Sequence, residues 1–117
     1  MALTTDFVNT GTLVVGGPQI TQGVRKFLTG AQTLAPSDYL VGYSTLTGAS
    51  VITGPANPVV GQTIVIKDFA GGASGTNTVT FTPQQGNIDG AANKVLINSA
   101  YGTAMVWFDG SNWFTIT

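Results

Sequence analysis

Almost every window of this sequence in which apolar residues could recur at helical spacing is broken by Gly, Pro, Thr or Asn before three turns are complete. Residues 23–29, GVRKFLT, admit one helical turn at most. What remains is strand and turn. Period-two alternation is plain in QTIVIKDF, where Ile64 and Ile66 face one way and Thr63, Val65 and Lys67 the other. It recurs in NTVTFTP, where Val79 and Phe81 alternate with Thr78, Thr80 and Thr82. Strands with one threonine-rich, wet face suit an antiparallel or mixed sheet.

Turn signals fall between the strands roughly every ten residues, the spacing of a sandwich or barrel. TGPANPVVG carries two prolines, AGGASGTN reads as a hairpin loop, and Asp89-Gly90 in NIDGAAN can take the positive φ of a tight turn. The clearest hairpin joins strand 103–108 to strand 113–117 through Asp109-Gly110-Ser111-Asn112. In its AMVWF segment Met105 and Trp107 point to one face and Val106 and Phe108 to the other, and both sets are large and apolar. Two arrangements cover both faces: one side packs the protomer's core and the other a neighbouring subunit, or the strand is central in a two-layer monomer. The first thirty residues are different in kind. Their apolar pieces, Leu13, Val14, Val15 and Ile20, are interrupted by Gly11, Gly16-Gly17 and Pro18 and cannot form an independent core, so they read as an arm or collar.

Charge and chemistry-bearing residues are scarce. Charged residues make up 8% of the chain, against about 25% in an ordinary soluble domain. The net charge is −1 and the cations Arg25, Lys26, Lys67 and Lys94 form no basic stripe, which disfavours nucleic acid as a partner. The adjacent Arg25-Lys26 reads as two solvated side chains. No apolar run approaches the ~18 residues of a membrane span, and the N-terminus lacks the basic and apolar regions of a Sec signal, so neither membrane insertion nor Sec export is expected. There is no Cys and no His, which removes the thiolate nucleophile, the commonest general base and the commonest zinc ligands. Five aspartates could supply a two-carboxylate glycosidase pair, but Asp89 and Asp109 precede glycines in turns, where such side chains cap backbone. GGASGTN lacks the Lys-Ser/Thr pair of a phosphate loop, and DFAGGASGTN lacks the clustered carboxylates of a calcium loop. No catalytic, cofactor-binding or metal-binding residue is assigned. Tyr39, Tyr43, Tyr101 and Trp113, with Asn and Thr nearby, are candidates for a sugar-stacking shelf, weighed against service in a core or interface.

From Gln32 onward the succession SDYLVGYSTLTGASVITGP, GQTIVIKDFAGGASGTNTVTFTP, NIDGAANKVLINSAYG and VWFDGSNWFTIT resembles a β-rich module of bacteriophage and large-virus head fibres, surface decoration proteins and tail fibres. The residues that carry the resemblance are Gly61, Ile66-Lys67-Asp68, Gly72, Asn77, Thr80, Ile88-Asp89-Gly90, Tyr101-Gly102, Gly110 and Trp113. Gly54-Pro55 stands where related modules carry Leu-Pro. The resemblance implies an all-β, short-strand sandwich or barrel-like module, residues 31–117, that assembles as a homotrimer without enzymatic activity, preceded by the extended arm, residues 1–30. Such an assembly supplies the neighbour that the last hairpin calls for, through Met105, Val106, Trp107, Phe108, Trp113, Phe114 and Ile116. With so short a stretch before the module, a capsid decoration, cement or short head-fibre role is expected, with Leu13, Val14, Val15 and Ile20 docking on the major capsid protein or another virion protein. Its location would be the virion, assembled in the host cytoplasm. The alternative is a receptor- or glycan-binding tip of a tail fibre or tailspike, with Tyr101 and Asn112 as candidate contacts to a host-surface glycan. A depolymerase using paired aspartates is the third class.

Overall fold

The computed structural model describes residues 23–116, and the arm residues Leu13, Val14, Val15 and Ile20 lie outside them. The described chain is all-β, with strands β1 (Gly23–Phe27), β2 (Gln32–Thr33), β3 (Asp38–Tyr43), β4 (Ser50–Thr53), β5 (Thr63–Asp68), β6 (Val79–Thr82), β7 (Lys94–Ile97), β8 (Thr103–Phe108) and β9 (Trp113–Ile116). They form two open sheets, one of five strands in the order β1-β3-β5-β8-β9 and one of four in the order β2-β4-β6-β7. Through β6 the chain changes sheet at every step, and successive strands within a sheet pair parallel. The chain therefore winds as a coil. It then folds back: β7 pairs antiparallel with β6, β8 with β5, and β9 with β8.

Two local expectations change. GVRKF is not a helical turn but strand β1, paired to β3, so Gly23–Phe27 belong to the five-stranded sheet. The AGGASGTN segment is not a hairpin loop, since β5 and β6 lie in different sheets; it is a crossover. Its course is set by Asp68 at the end of β5, whose carboxylate collects the N–H groups of Ala70, Gly71 and Ala73. The Asp89-Gly90 turn forms as its sequence dictates, with φ of 47° and 82° and reciprocal hydrogen bonds between Ile88 and Ala91.

Inward-facing side chains of both sheets meet in one core. β3, β5 and β8 contribute Val41, Tyr43, Ile64, Ile66, Val106 and Phe108; β4, β6 and β7 contribute Ile52, Val79, Phe81 and Ile97. Trp113 of β9 is fully buried and meets Phe81 of the other sheet edge-on, with ring centroids 5.4 Å apart, and Phe108 at 5.1 Å. At the β1–β2 end the core is closed by a polar lid. Arg25 donates from Nε and Nη2 to buried Asp38, reaches the Thr33 carbonyl across on β2, and lies over the Phe27 ring. Hydrogen bonding to the Asp38 carboxylate, with its charge, raises the Arg25 pKa further above its ordinary value against a smaller opposing effect of burial. Arg25 and Lys26 are thus not simply solvated: Lys26 Nζ sits 4.8 Å from the Phe69 ring centre.

Candidate interaction surface

The two outer faces of the sandwich differ in chemistry, and register explains why. On the five-stranded sheet, Val24 aligns with Leu40, Leu40 with Val65, Val65 with Met105, and Met105 with Ile116. One aliphatic row therefore crosses all five strands. Its ends are open, Val24 at 56% and Ile116 at 48% exposure. Beside it, Thr63, Trp107 and Phe114 form a second row, in which the indole and phenyl rings lie 6.4 Å apart. On its other side Lys26, Gly42, Lys67 and Thr103 form a third. The outer face of the four-stranded sheet instead carries Thr53 with Thr82, and Thr80 between Val51 and Val95.

This arrangement divides the seven hairpin residues expected at a subunit contact. Val106, Phe108 and Trp113 are buried in the protomer's own core and offer nothing to a neighbour. Met105, Trp107, Phe114 and Ile116 stand on the opposite face. Alternation along β8 and β9 makes the split unavoidable.

Tyr101 and Asn112, the two candidate glycan contacts, are not brought together. They lie in turns at opposite ends of β8, which at ~3.3 Å per residue are separated by roughly 17 Å or more. Asn112 is committed to the fold, its Oδ1 accepting from the Asn87 N–H at 2.9 Å. Tyr101 is 60% exposed and holds a left-handed backbone, φ 59°. Its N–H is fixed by Asp68, its carbonyl accepts from Lys67 Nζ, and its ring lies against Gly71, where a Cβ would clash. Of the remaining shelf candidates, Tyr43 and Trp113 are buried in the core and Tyr39 is half-buried on β3. The Tyr43 hydroxyl donates to the Gly30 carbonyl, and burial raises its pKa to about 12 against the smaller lowering effect of Ser50.

The described aspartates are all engaged by the protein itself. Asp38 holds Arg25 and the Ala35 N–H. Asp89 accepts from Lys94 and from the N–H and Oγ1 of Thr115, and Asp109 accepts the N–H groups of Ser111 and Asn112. Hydrogen bonds from Lys94 and Thr115 hold the Asp89 carboxyl down at about 2, against a smaller effect of burial. Asp68 is the unusual case. It is fully buried, and burial pushes its carboxyl up, yet four backbone N–H donors outweigh that and hold it below the ordinary value. Sequence reasoning did not single out this role; the signal was an Asp followed by small residues, DFAGGA, whose N–H groups can crowd one carboxylate. Among the described residues no cluster of three or more His, Cys, Asp or Glu could hold a metal ion, and no helix is long and apolar enough to cross a membrane.

No known protein-family model matches the chain, and a search of the curated proteins returns no match.

Proposed function

We propose that the protein is a non-enzymatic structural component of a virus particle, a homotrimeric capsid decoration, cement or short head-fibre protein. The observation that carries this reading is the apolar outer face of the five-stranded sheet, Val24 through Ile116 with Trp107 and Phe114 alongside. A contiguous apolar patch of this kind marks an interaction surface. Three copies turned inward on that face would bury it and leave the threonine-bearing sheet in water, soluble with very little charge. At ~25 cal/mol per Å2 of apolar surface covered, such a contact makes the assembly inseparable from protomer stability. The sequence resemblance supplies the virion setting, and the arm before β1 supplies the attachment to the major capsid protein or another virion protein. The engaged aspartates favour a structural protein over a depolymerase, since each already serves as an acceptor within the fold.

The test is the mass of the purified protein in solution, followed by its location on particles by electron microscopy. A trimer seated on the capsid is the expected result. A stable single copy at micromolar concentration, or a trimer found only at the tail tip, overturns the assignment. The second outcome would favour the alternative, a glycan-binding tip, for which the exposed and rigidly held Tyr101 ring is the specific support. In that case Tyr101→Ala abolishes binding to host envelopes while the solution mass stays unchanged.

A further inference from the structure

Each sheet has two edge strands, and an unprotected edge is a template for another strand. β9 is covered: Trp113 N–H donates to the Asn87 carbonyl, Asp89 N–H to the Trp113 carbonyl, and the Asp89 carboxylate takes the Thr115 N–H. β2 is two residues long and its Thr33 carbonyl accepts from Arg25. β1 presents Arg25 and Lys26, charges that discourage pairing. β7 is less protected: it carries one charge, Lys94, which is held by Asp89, and no hydrogen bond among the described residues covers its outer edge. It pairs with β6 on one side and on the other borders a groove of about 340 Å3, lined by Val95, Leu96, Ala104, Met105 and Ile116 together with Lys94, Thr103 and Thr115.

We propose that this groove seats a strand from a neighbouring copy of the chain, residues Thr12–Val15, added to the β7 edge. The inference rests on the trimeric reading, because it needs a second copy. Twenty-two residues precede β1, and Thr-Leu-Val-Val is their strongest β-forming run, uncharged and equal in length to four-residue β7. Gly16-Gly17-Pro18 follows at once, and Pro18 cannot extend the ladder. The chain's own segment is the poorer occupant. β1 lies three strands away from β8 across the sheet, about 14 Å at ~4.8 Å per strand. To arrive there the chain's own residues 16–22 would run across the strands without a ladder partner, over the aliphatic row assigned to the subunit contact. A neighbour's segment need not take that path. Leu13, Val14 and Val15 then lock copy to copy, and attachment to the particle falls to the rest of the arm, Ile20 included.

The chain contains no Cys, so introduced thiols report without background. Full-length Val14→Cys/Val95→Cys and Val15→Cys/Val95→Cys proteins, which sample both faces of the added strand, are oxidised and run on denaturing gels. Hydrogen exchange is followed in full-length wild type and in Leu13→Asp/Val15→Asp, changes that leave every described residue as it is. Bands at two and three times the protomer mass are expected, with β7 amides exchanging at least tenfold faster in the Asp variant and β5 amides unchanged. A cross-link confined to single chains places the segment in its own groove and overturns the inference. So does β7 exchange that is slow only on particles, which would put a capsid strand there, or exchange unaltered by the Asp changes. A trimeric mass with these negative results removes this inference alone; a monomeric mass removes the trimeric reading with it.

Discussion

Asp68→Asn isolates the tie between the β5–β6 crossover and the β7–β8 turn. The wild-type carboxylate accepts four backbone N–H groups, Ala70 and Gly71 on Oδ1, Ala73 and Tyr101 on Oδ2, at 2.9 to 3.1 Å and with no exposure to water. Asn keeps one oxygen and places an NH2 where the other stood, so two of the four donors face a donor whichever way the amide turns. A buried polar group left unsatisfied costs about 1–3 kcal/mol, so the substitution should cost about 4 kcal/mol in all, counting the lost charge assistance. That is a large fraction of the ~5–15 kcal/mol available to a domain. Asp109→Asn is the matched control. Both of its donors, Ser111 and Asn112, use the same oxygen, Oδ1, which Asn retains, and the site is exposed. It should stay within about 0.5 kcal/mol of wild type. Urea unfolding at fixed protomer concentration, followed by tryptophan fluorescence, compares the three proteins. If Asp68→Asn lies within about 1 kcal/mol of wild type, the view that these four bonds organise the crossover is wrong.

Three further outcomes are expected. Asp89 has its pKa depressed in the fold, from 3.8 to about 2, so the unfolded chain takes up its proton first and the carboxylate's contribution is present above about pH 4 and lost as pH falls towards 2; the stability gap between wild type and Asp89→Asn should narrow across that window in acid titrations of the urea midpoint. Trp107→Ser/Phe114→Ser changes outward-facing residues, and under the trimeric reading sedimentation should show at least tenfold weaker association with the β-sheet circular dichroism retained, whereas Trp113→Ala should destabilise the protomer itself by about 3–5 kcal/mol. Gly42→Ala puts a Cβ 1.8 Å from the Lys67 carbonyl oxygen in the middle of the five-stranded sheet, and thermal melts should register a loss of about 3 kcal/mol or more.

How much of this was legible in the sequence depends on the range over which each feature is encoded. Alternation is local, so Ile64 and Ile66, Val79 and Phe81, and the β8–β9 hairpin with its Asp109–Asn112 turn were readable residue by residue. Parallel winding is not local. Val24 pairs with Leu40 and Leu40 with Val65, offsets that do not repeat, so no internal period announces which strands are neighbours. The same gap hid the lid at the β1 end: Arg25 was visible as a cation, but its partners Asp38 and Thr33 are assembled only once β1, β2 and β3 are in place. Register across five strands, not composition, aligns the aliphatic row; alternation placed Val65, Met105 and Trp107 each on a face of its own strand but could not line them up.

That row bears on what the fold was selected to do. Met105, Trp107, Phe114 and Ile116 alternate with Val106, Phe108, Trp113 and Thr115, so exchanging the outward set for threonine would leave the packing of the inward set untouched. The four-stranded sheet carries threonine at three such positions, Thr53, Thr80 and Thr82, beside the smaller Val51 and Val95, and its inward Ile52, Val79 and Phe81 remain fully buried. Core stability therefore does not require large apolar side chains on the outside of β8 and β9. In a chain this poor in charge they also carry a solubility penalty when left in water. Under the trimeric reading both facts have one cause: a neighbouring copy that needs this face apolar, and a solvent that favours threonine on the other.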